Sequence, residues 1–255
     1  MACSPGVSSL TASSLASASM SGSFSMLCGV PLTNIGIQAA KKPKACLLEI
    51  VKLSNKKGLF RGASRPVTMA IPQFALLGPV YKELNSKYQL GKWSTIGLLS
   101  TVESLVTYTV GKQSAQKFYY GKIIDHSLRP MGVGFGALLS RNVIAMAGLR
   151  ILSPTIEDSL ESIAKNSLKN SESANTGLKF TSNLLANCSA GAVSTIPHTI
   201  FNEQVINPER TIKKILIDQY KDNGISSLTK QASIRGARLG CVYTIFATLE
   251  NKFMS

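Results

Sequence analysis

Long apolar stretches separated by short basic ones set the rhythm of this chain. Six can be marked, at about Val7–Val30, Pro66–Leu84, Trp93–Val110, Gly136–Leu152, Phe180–Ile196 and Ala232–Leu249. Each is near the roughly 20 residues that carry a helix across a bilayer. None is a clean run of leucine and isoleucine, because Ser, Thr, Gly and Ala are mixed with the larger side chains. Small residues one turn apart, such as Ser13, Ser17 and Ser21, let helix backbones approach closely in a membrane. A disordered Ser-rich leader is the alternative for the first stretch. Between the stretches, residues 44–57 and 211–223 alternate apolar positions with Lys, Glu or Asp, the pattern of short amphipathic surface helices. Residues 157–179 are polar and rich in Ser and Asn, and read as an exposed linker. The expectation is an all-α membrane protein.

The pattern repeats. Pro31 and Pro197 each end a small-residue helix, and each is followed by a surface helix, a turn and another apolar stretch. The turns are "KKGLFRGASRP" (Lys56–Pro66) and "DNGISSLTKQAS" (Asp222–Ser233). A middle copy reads "ESLVTYTVGKQSAQKFYYG" (Glu103–Gly121), then "VGFGALLSRNV" (Val133–Val143). The period is a third of the chain with two apolar helices per unit, giving units at residues 5–90, 91–160 and 177–255 of one domain.

Composition sharpens the membrane reading. The 255 residues are 44% hydrophobic and only 16% charged, yet the net charge is +15. Mean hydropathy is +0.14. Nucleic acid would call for basic residues clustered with aromatics on one element. Here they sit between apolar stretches, at Lys41–Lys44, Lys52–Arg65 and Lys213–Lys230, so no nucleic-acid partner is expected. The five cysteines show no metal-ligand spacing and no disulfide framework. Met1–Ala40 holds no charged residue, which disfavours a cleavable targeting segment. His126 and His198 lack ligand-spaced partners, "GVGFG" (Gly132–Gly136) lacks the strand of a dinucleotide loop, and no nucleophile–base pair stands out. An enzyme is not expected.

On four pieces the chain resembles the mitochondrial carrier family: "FRG" at Phe60–Gly62, "YYG" at Tyr119–Gly121, "GFGALLSRN" at Gly134–Asn142 and "AGAVSTIP" ending at Pro197. The resemblance covers nearly the whole chain. It implies six transmembrane helices in threefold pseudosymmetry with short matrix helices, multi-pass in the mitochondrial inner membrane. It also implies bound cardiolipin, held by helix N-termini at Phe60, Arg61 and Gly62 and at Tyr119 and Gly121, where free N–H groups and a positive dipole end attract phosphate. No other cofactor is implied.

In that family, Pro31 and Pro197 would be helix kinks followed by an acid and, three residues on, a base. Here Thr33 and Gly36 follow Pro31, and Thr199 and Asn202 follow Pro197. In the middle copy Val110 replaces the proline, with Lys112 and Ala115 after it. No acid–base pair survives at these degenerate gate positions. At the other gate, Lys82 stands where an acid belongs, and Glu250 keeps its acid without the aromatic before it. Alternating access needs such breakable contacts. The first functional expectation is therefore a carrier relative that has lost ordinary transport and serves as an accessory subunit of a large inner-membrane complex. The alternative is a divergent carrier for a small anion. Counted from Gly62, Gly134 and Gln231, the family's substrate contacts map to Gln73 with Leu77, Arg141 with Asn142, and Arg238. Arginine within a membrane segment marks a functional site by default, and two of them would suit a carboxylate or phosphate; capping of helix carbonyls or lipid phosphate is the competing role.

Overall fold

The computed structural model describes residues 10–42, 44–164 and 172–253, and all regular structure among them is helical. The start of the first apolar stretch, at Val7, lies outside the described residues. Helix α1 (Ala12–Lys41) opens on a reciprocal cap: the Thr11 side chain accepts from the Ser14 amide, and the Ser14 hydroxyl accepts from the Thr11 amide. A short helix α2 (Leu47–Lys56) follows. Helix α3 covers 64–86 and widens into a π-turn at Leu76–Val80 around Pro79. Helix α4 (Lys92–Tyr120) is capped by Gly121, whose φ of 74° is the left-handed conformation that glycine adopts without strain. Helix α5 covers 135–164 with a π-turn at Gly148–Leu152. Helix α6 (Glu172–Val193) turns at Ser194 into α7 (Thr195–Ile206). A short α8 (Ile212–Asp218), closed by a π-turn, leads into α9 (Gly224–Phe253).

The six long rods, α6 and α7 counting as one, form a closed ring in chain order, α9 packing back on α1. Neighbours run antiparallel. Ser19 and Ser23 of α1 bond to the carbonyls of Ile71 and Val67, and Gly29 and Gly36 meet Val242 and Ile234 of α9. The α6–α9 contact is backbone to backbone: a Cβ on Gly191 would lie 2.7 Å from the Cα of Gly236, and one on Gly236 2.7 Å from the Cys188 carbonyl. Those glycines are what allows the two helices to touch.

Three expectations change. Neither proline ends a helix. Pro31 lies inside α1, which runs on to Lys41, and α7 continues nine residues past Pro197 to Ile206. The helix does break near Pro197, at Ser194, because proline offers no N–H to the Val193 carbonyl four residues back. The linker at 157–179 is largely helical: α5 runs into it to Ala164 and α6 starts in it at Glu172, with Glu157 and Lys179 3.9 Å apart. Residues 165–171 lie outside the described residues. Surface helices occur in the first and third units as α2 and α8, but 121–134 in the middle unit has none.

Beside an apolar core, the interior holds many polar side chains while large apolar ones face outward. Ser25, Glu103, Ser104, Asn142, Asn187 and Glu250 are buried, whereas Met20, Phe24, Ile71, Trp93, Leu98 and Phe180 are exposed. Two helices, Ala12–Lys41 and Phe135–Ile163, are long and apolar enough to cross a membrane by length and composition.

Candidate functional site

Two apolar clusters close the ring's interior. Toward the short loops, Phe74 of α3 stacks on Tyr243 and Phe246 of α9, with Leu77, Met146 and Leu149 around them. Toward the surface helices, Phe201 of α7 packs against Tyr108 of α4 and Leu138 of α5. A polar group lies between these clusters. Gln73 Nε2 donates to Glu103 Oε1 at 2.7 Å, joining α3 to α4. Asn142 Nδ2 donates to Ser104 Oγ at 3.0 Å, joining α5 to α4. Arg141 directs both Nε and Nη2 onto Asn142 Oδ1, at 3.0 and 2.8 Å. From α9, Arg235 Nε donates to Ser194 Oγ at 3.0 Å, and Arg238 Nη2 approaches Met26 Sδ of α1 at 3.7 Å.

Of the four sequence-derived contact residues, Arg141 and Asn142 bond to each other, Gln73 bonds to Glu103, and Arg238 lies within electrostatic range of Arg141. Leu77 is buried in the apolar cluster around Phe74, and its carbonyl accepts from Arg150. Sequence reasoning missed Glu103, Arg235 and His198. Arg141, Arg235 and Arg238 lie within electrostatic range of one another and of His198, and Arg141 within range of Glu103. No ion pair is made by any of the three guanidiniums among the described residues, and Arg238 Nε and His198 Nδ1 are buried without a hydrogen-bond partner. Chemically, this is a cationic cluster with donors to spare, suited to carboxylate or phosphate oxygens.

The gate positions divide by end. Near the short loops, the carboxylate of Glu250, 2% exposed, accepts from Arg150 Nη2 at 3.1 and 3.2 Å and lies 3.3 Å from Lys82 Nζ. Arg150 also donates from Nε to the Leu77 carbonyl at 3.0 Å, and its guanidinium sits 5.0 Å from the Tyr81 ring. Helices α3, α5 and α9 are thereby tied by one acid and two bases. The reading of this gate as eroded missed Arg150, which supplies the cross-helix partner that Glu250 needs.

At the opposite end the degenerate positions make no ion pair between rods. Thr33 Oγ1 bonds to the Gly29 carbonyl of its own helix, Gly36 faces Ile234, and Asn202 lies 3.3 Å from His198. Ala115 is buried, and Thr199 is partly so. Lys112 is a strap anchor: its Nζ donates to Asp125 Oδ2 at 2.9 Å and to the carbonyl and hydroxyl of Ser127 at 3.0 and 2.9 Å. Gln116 accepts from the amides of Ile124 and Asp125, Thr109 donates to the Arg129 carbonyl, and Tyr108 to the Val133 carbonyl. Residues 121–134 are laced back along α4 by side chains of successive turns. The Asp125 carboxyl is held below the usual carboxylate range, first by the Ser127 amide and then by Lys112. Two charged links do join rods here: Arg65 of α3 donates to Gln113 of α4 at 3.0 Å, and Tyr119 of α4 donates at 3.1 Å to Glu203 of α7, which pairs with Arg210 at 2.9 Å, Arg210 also pairing with Asp218.

The lipid-binding expectation splits likewise. Phe60 and Arg61 are exposed, and Gly62, with φ of 76°, stands two residues before the start of α3. Asn34 holds this turn through the Leu59 and Arg61 carbonyls. Tyr119 and Gly121 instead close a helix. Carbonyls and the negative dipole end are there, so a phosphate cradle of free N–H groups does not form at that triplet.

No protein-family model matches the chain, and no curated protein matches it.

Proposed function

We propose that the chain is a membrane-spanning, carrier-like protein whose ring of six helical rods binds a small organic anion at Arg141, Arg235 and Arg238. The observation that carries this reading is the arginine cluster itself: three guanidiniums share one interior without an acid paired to any of them. Leaving a buried charge unpaired is costly, and the cost is tolerable where a ligand brings the counter-charge. Apolar residues around the outside, with polar ones within, support insertion of all six rods. The charges in α4 and α9 turn inward, which is how a span can carry them. The threefold repeat, the inner mitochondrial membrane and lipid phosphate at the Phe60–Gly62 turn belong to this reading. The Arg150–Glu250–Lys82 cluster adds a contact that must break for the ring to open at that end. The test is reconstitution in liposomes with uptake of labelled dicarboxylates. Arg141→Ala and Arg238→Ala should each lower uptake at least roughly tenfold, the scale of one charge-assisted contact. Uptake that ignores both substitutions overturns the reading.

A second reading keeps the fold and replaces transport with a role as accessory subunit of a large inner-membrane complex. The absence of ion pairs at Thr33, Gly36, Ala115, Thr199 and Asn202 favours it. Migration with a large assembly on a native gel, and no uptake, would decide for it.

A further inference from the structure

Four carboxylates among the described residues are buried: Glu83, Glu103, Glu203 and Glu250. Three have a cation within ion-pair distance. Glu83 has Lys87 at 3.2 Å, Glu203 has Arg210 at 2.9 Å, and Glu250 has Arg150 and Lys82. Glu103, 3% exposed, is the exception. It is not short of cations nearby, since Arg141 is in electrostatic range. Arg141 is instead turned onto Asn142 by two hydrogen bonds, and Asn142 is itself fixed by Ser104, the residue next to Glu103. Gln73 holds one carboxylate oxygen in place with a neutral donor. The packing therefore keeps acid and base apart in a space where they would otherwise join.

A simple anion would satisfy the guanidiniums and leave Glu103 facing more negative charge. A ligand that also carries a cationic nitrogen satisfies both signs at once. Resting on the anion-binding reading above, we propose that the substrate class is an amino-acid-like anion, with its carboxylates on Arg141, Arg235 and Arg238 and its ammonium group on Glu103. Glu103 is then the residue that selects amine-bearing ligands over their des-amino counterparts. A carboxylate has about four acceptor positions, of which Gln73 uses one, so acceptor capacity for an ammonium remains on the same group.

The test compares matched pairs, glutamate with glutarate and aspartate with succinate, by thermal-shift protection of the purified full chain in detergent. The amine-bearing member of each pair should bind the wild-type protein tighter by at least roughly tenfold, since a site built for a polar group rejects analogues lacking it. Glu103→Gln, which keeps the acceptor for Gln73, should bring that ratio close to one while glutarate and succinate bind at least as well as before. Glu103→Asp should retain the preference, and guards against an uninformative folding defect in the first variant. Protection by glutarate or succinate equal to that by the amino acids overturns this proposal and leaves the anion reading standing, as does a preference that survives Glu103→Gln. Protection by neither class, unaltered by Arg238→Ala, overturns the anion reading and this proposal with it.

Discussion

The two ends of the ring handle charge in opposite ways. At the short-loop end, Glu250, Arg150 and Lys82 come from three different rods, and two of the three side chains are nearly out of contact with solvent. At the surface-helix end, Lys112 spends its three protons on the segment that directly follows its own helix. The Arg210 pairs likewise lie seven and eight residues away along the chain. Bonds between rods must break if the rods separate, whereas bonds within a unit travel with it. The short-loop end is thus held by a buried ion-pair cluster, and the other end is shut mainly by packing around Phe201, Tyr108 and Leu138, with Tyr119–Glu203 and Arg65–Gln113 hydrogen bonds between rods beside it.

The largest effect should follow removal of the shared acid. Glu250→Ala leaves the Arg150 guanidinium, 13% exposed, without its carboxylate. Breaking such a pair from one side costs roughly 3–5 kcal/mol. The thermal midpoint in detergent should fall steeply, and Glu250→Leu combined with Arg150→Met should recover most of the loss because no charge is then stranded. If the double variant is as unstable as Glu250→Ala, the cluster is not the tie described here.

Much of the architecture was legible in the sequence because apolar runs and their spacing survive without knowledge of partners. Five of the six stretches fall within a rod, the described part of the first runs into α1, and the two amphipathic segments became α2 and α8. The Arg150–Glu250 pair was not legible, since its members are 100 residues apart and only Glu250 stood at an expected gate position. A local signal did exist: Glu103 and Arg150 are each charges set within an apolar stretch, and such charges need an interior partner. Pro31 misled in the other direction. Within a ring of packed helices its missing hydrogen bond does not stop α1, so a helix end read from proline alone was misplaced. The strap at 121–134 escaped notice because Lys112 was matched to a gate position, while its partners come from a turn that only tertiary folding defines.

An intermediate effect should come from that strap. Lys112→Met removes the ammonium that holds Asp125 and Ser127, and trypsin should then cut at Lys122 several-fold faster, with little change at the short-loop end. Its acid response follows from the Asp125 carboxyl. A carboxyl depressed by folding contributes stability above its unfolded value, near 3.9, and loses it as pH falls through the lower folded value. Amide exchange at Ser127 should therefore stay protected from neutral pH down to about 4 and rise only in stronger acid. Release already near pH 6 would mean that the Asp125 carboxylate is not what holds the strap.

The smallest effect separates the two bases that share Glu250. Lys82 is 39% exposed and 3.3 Å from the carboxylate, so water screens the pair and the long side chain loses entropy in making it. Arg150 is sheltered, bonds the same carboxylate from one nitrogen, and is braced by the Leu77 carbonyl and the Tyr81 ring. Lys82→Ala should lower stability by no more than about 1 kcal/mol, and that difference should fade as salt is raised. Arg150→Ala should cost several times as much and respond little to salt, because it strands a buried acid. Equal losses from the two substitutions would mean that Glu250 is held by charge alone. The unequal losses expected here would assign the specific part of the tie to α5 and leave α3 the weaker hold, so α3 would be the first of the three rods to come free.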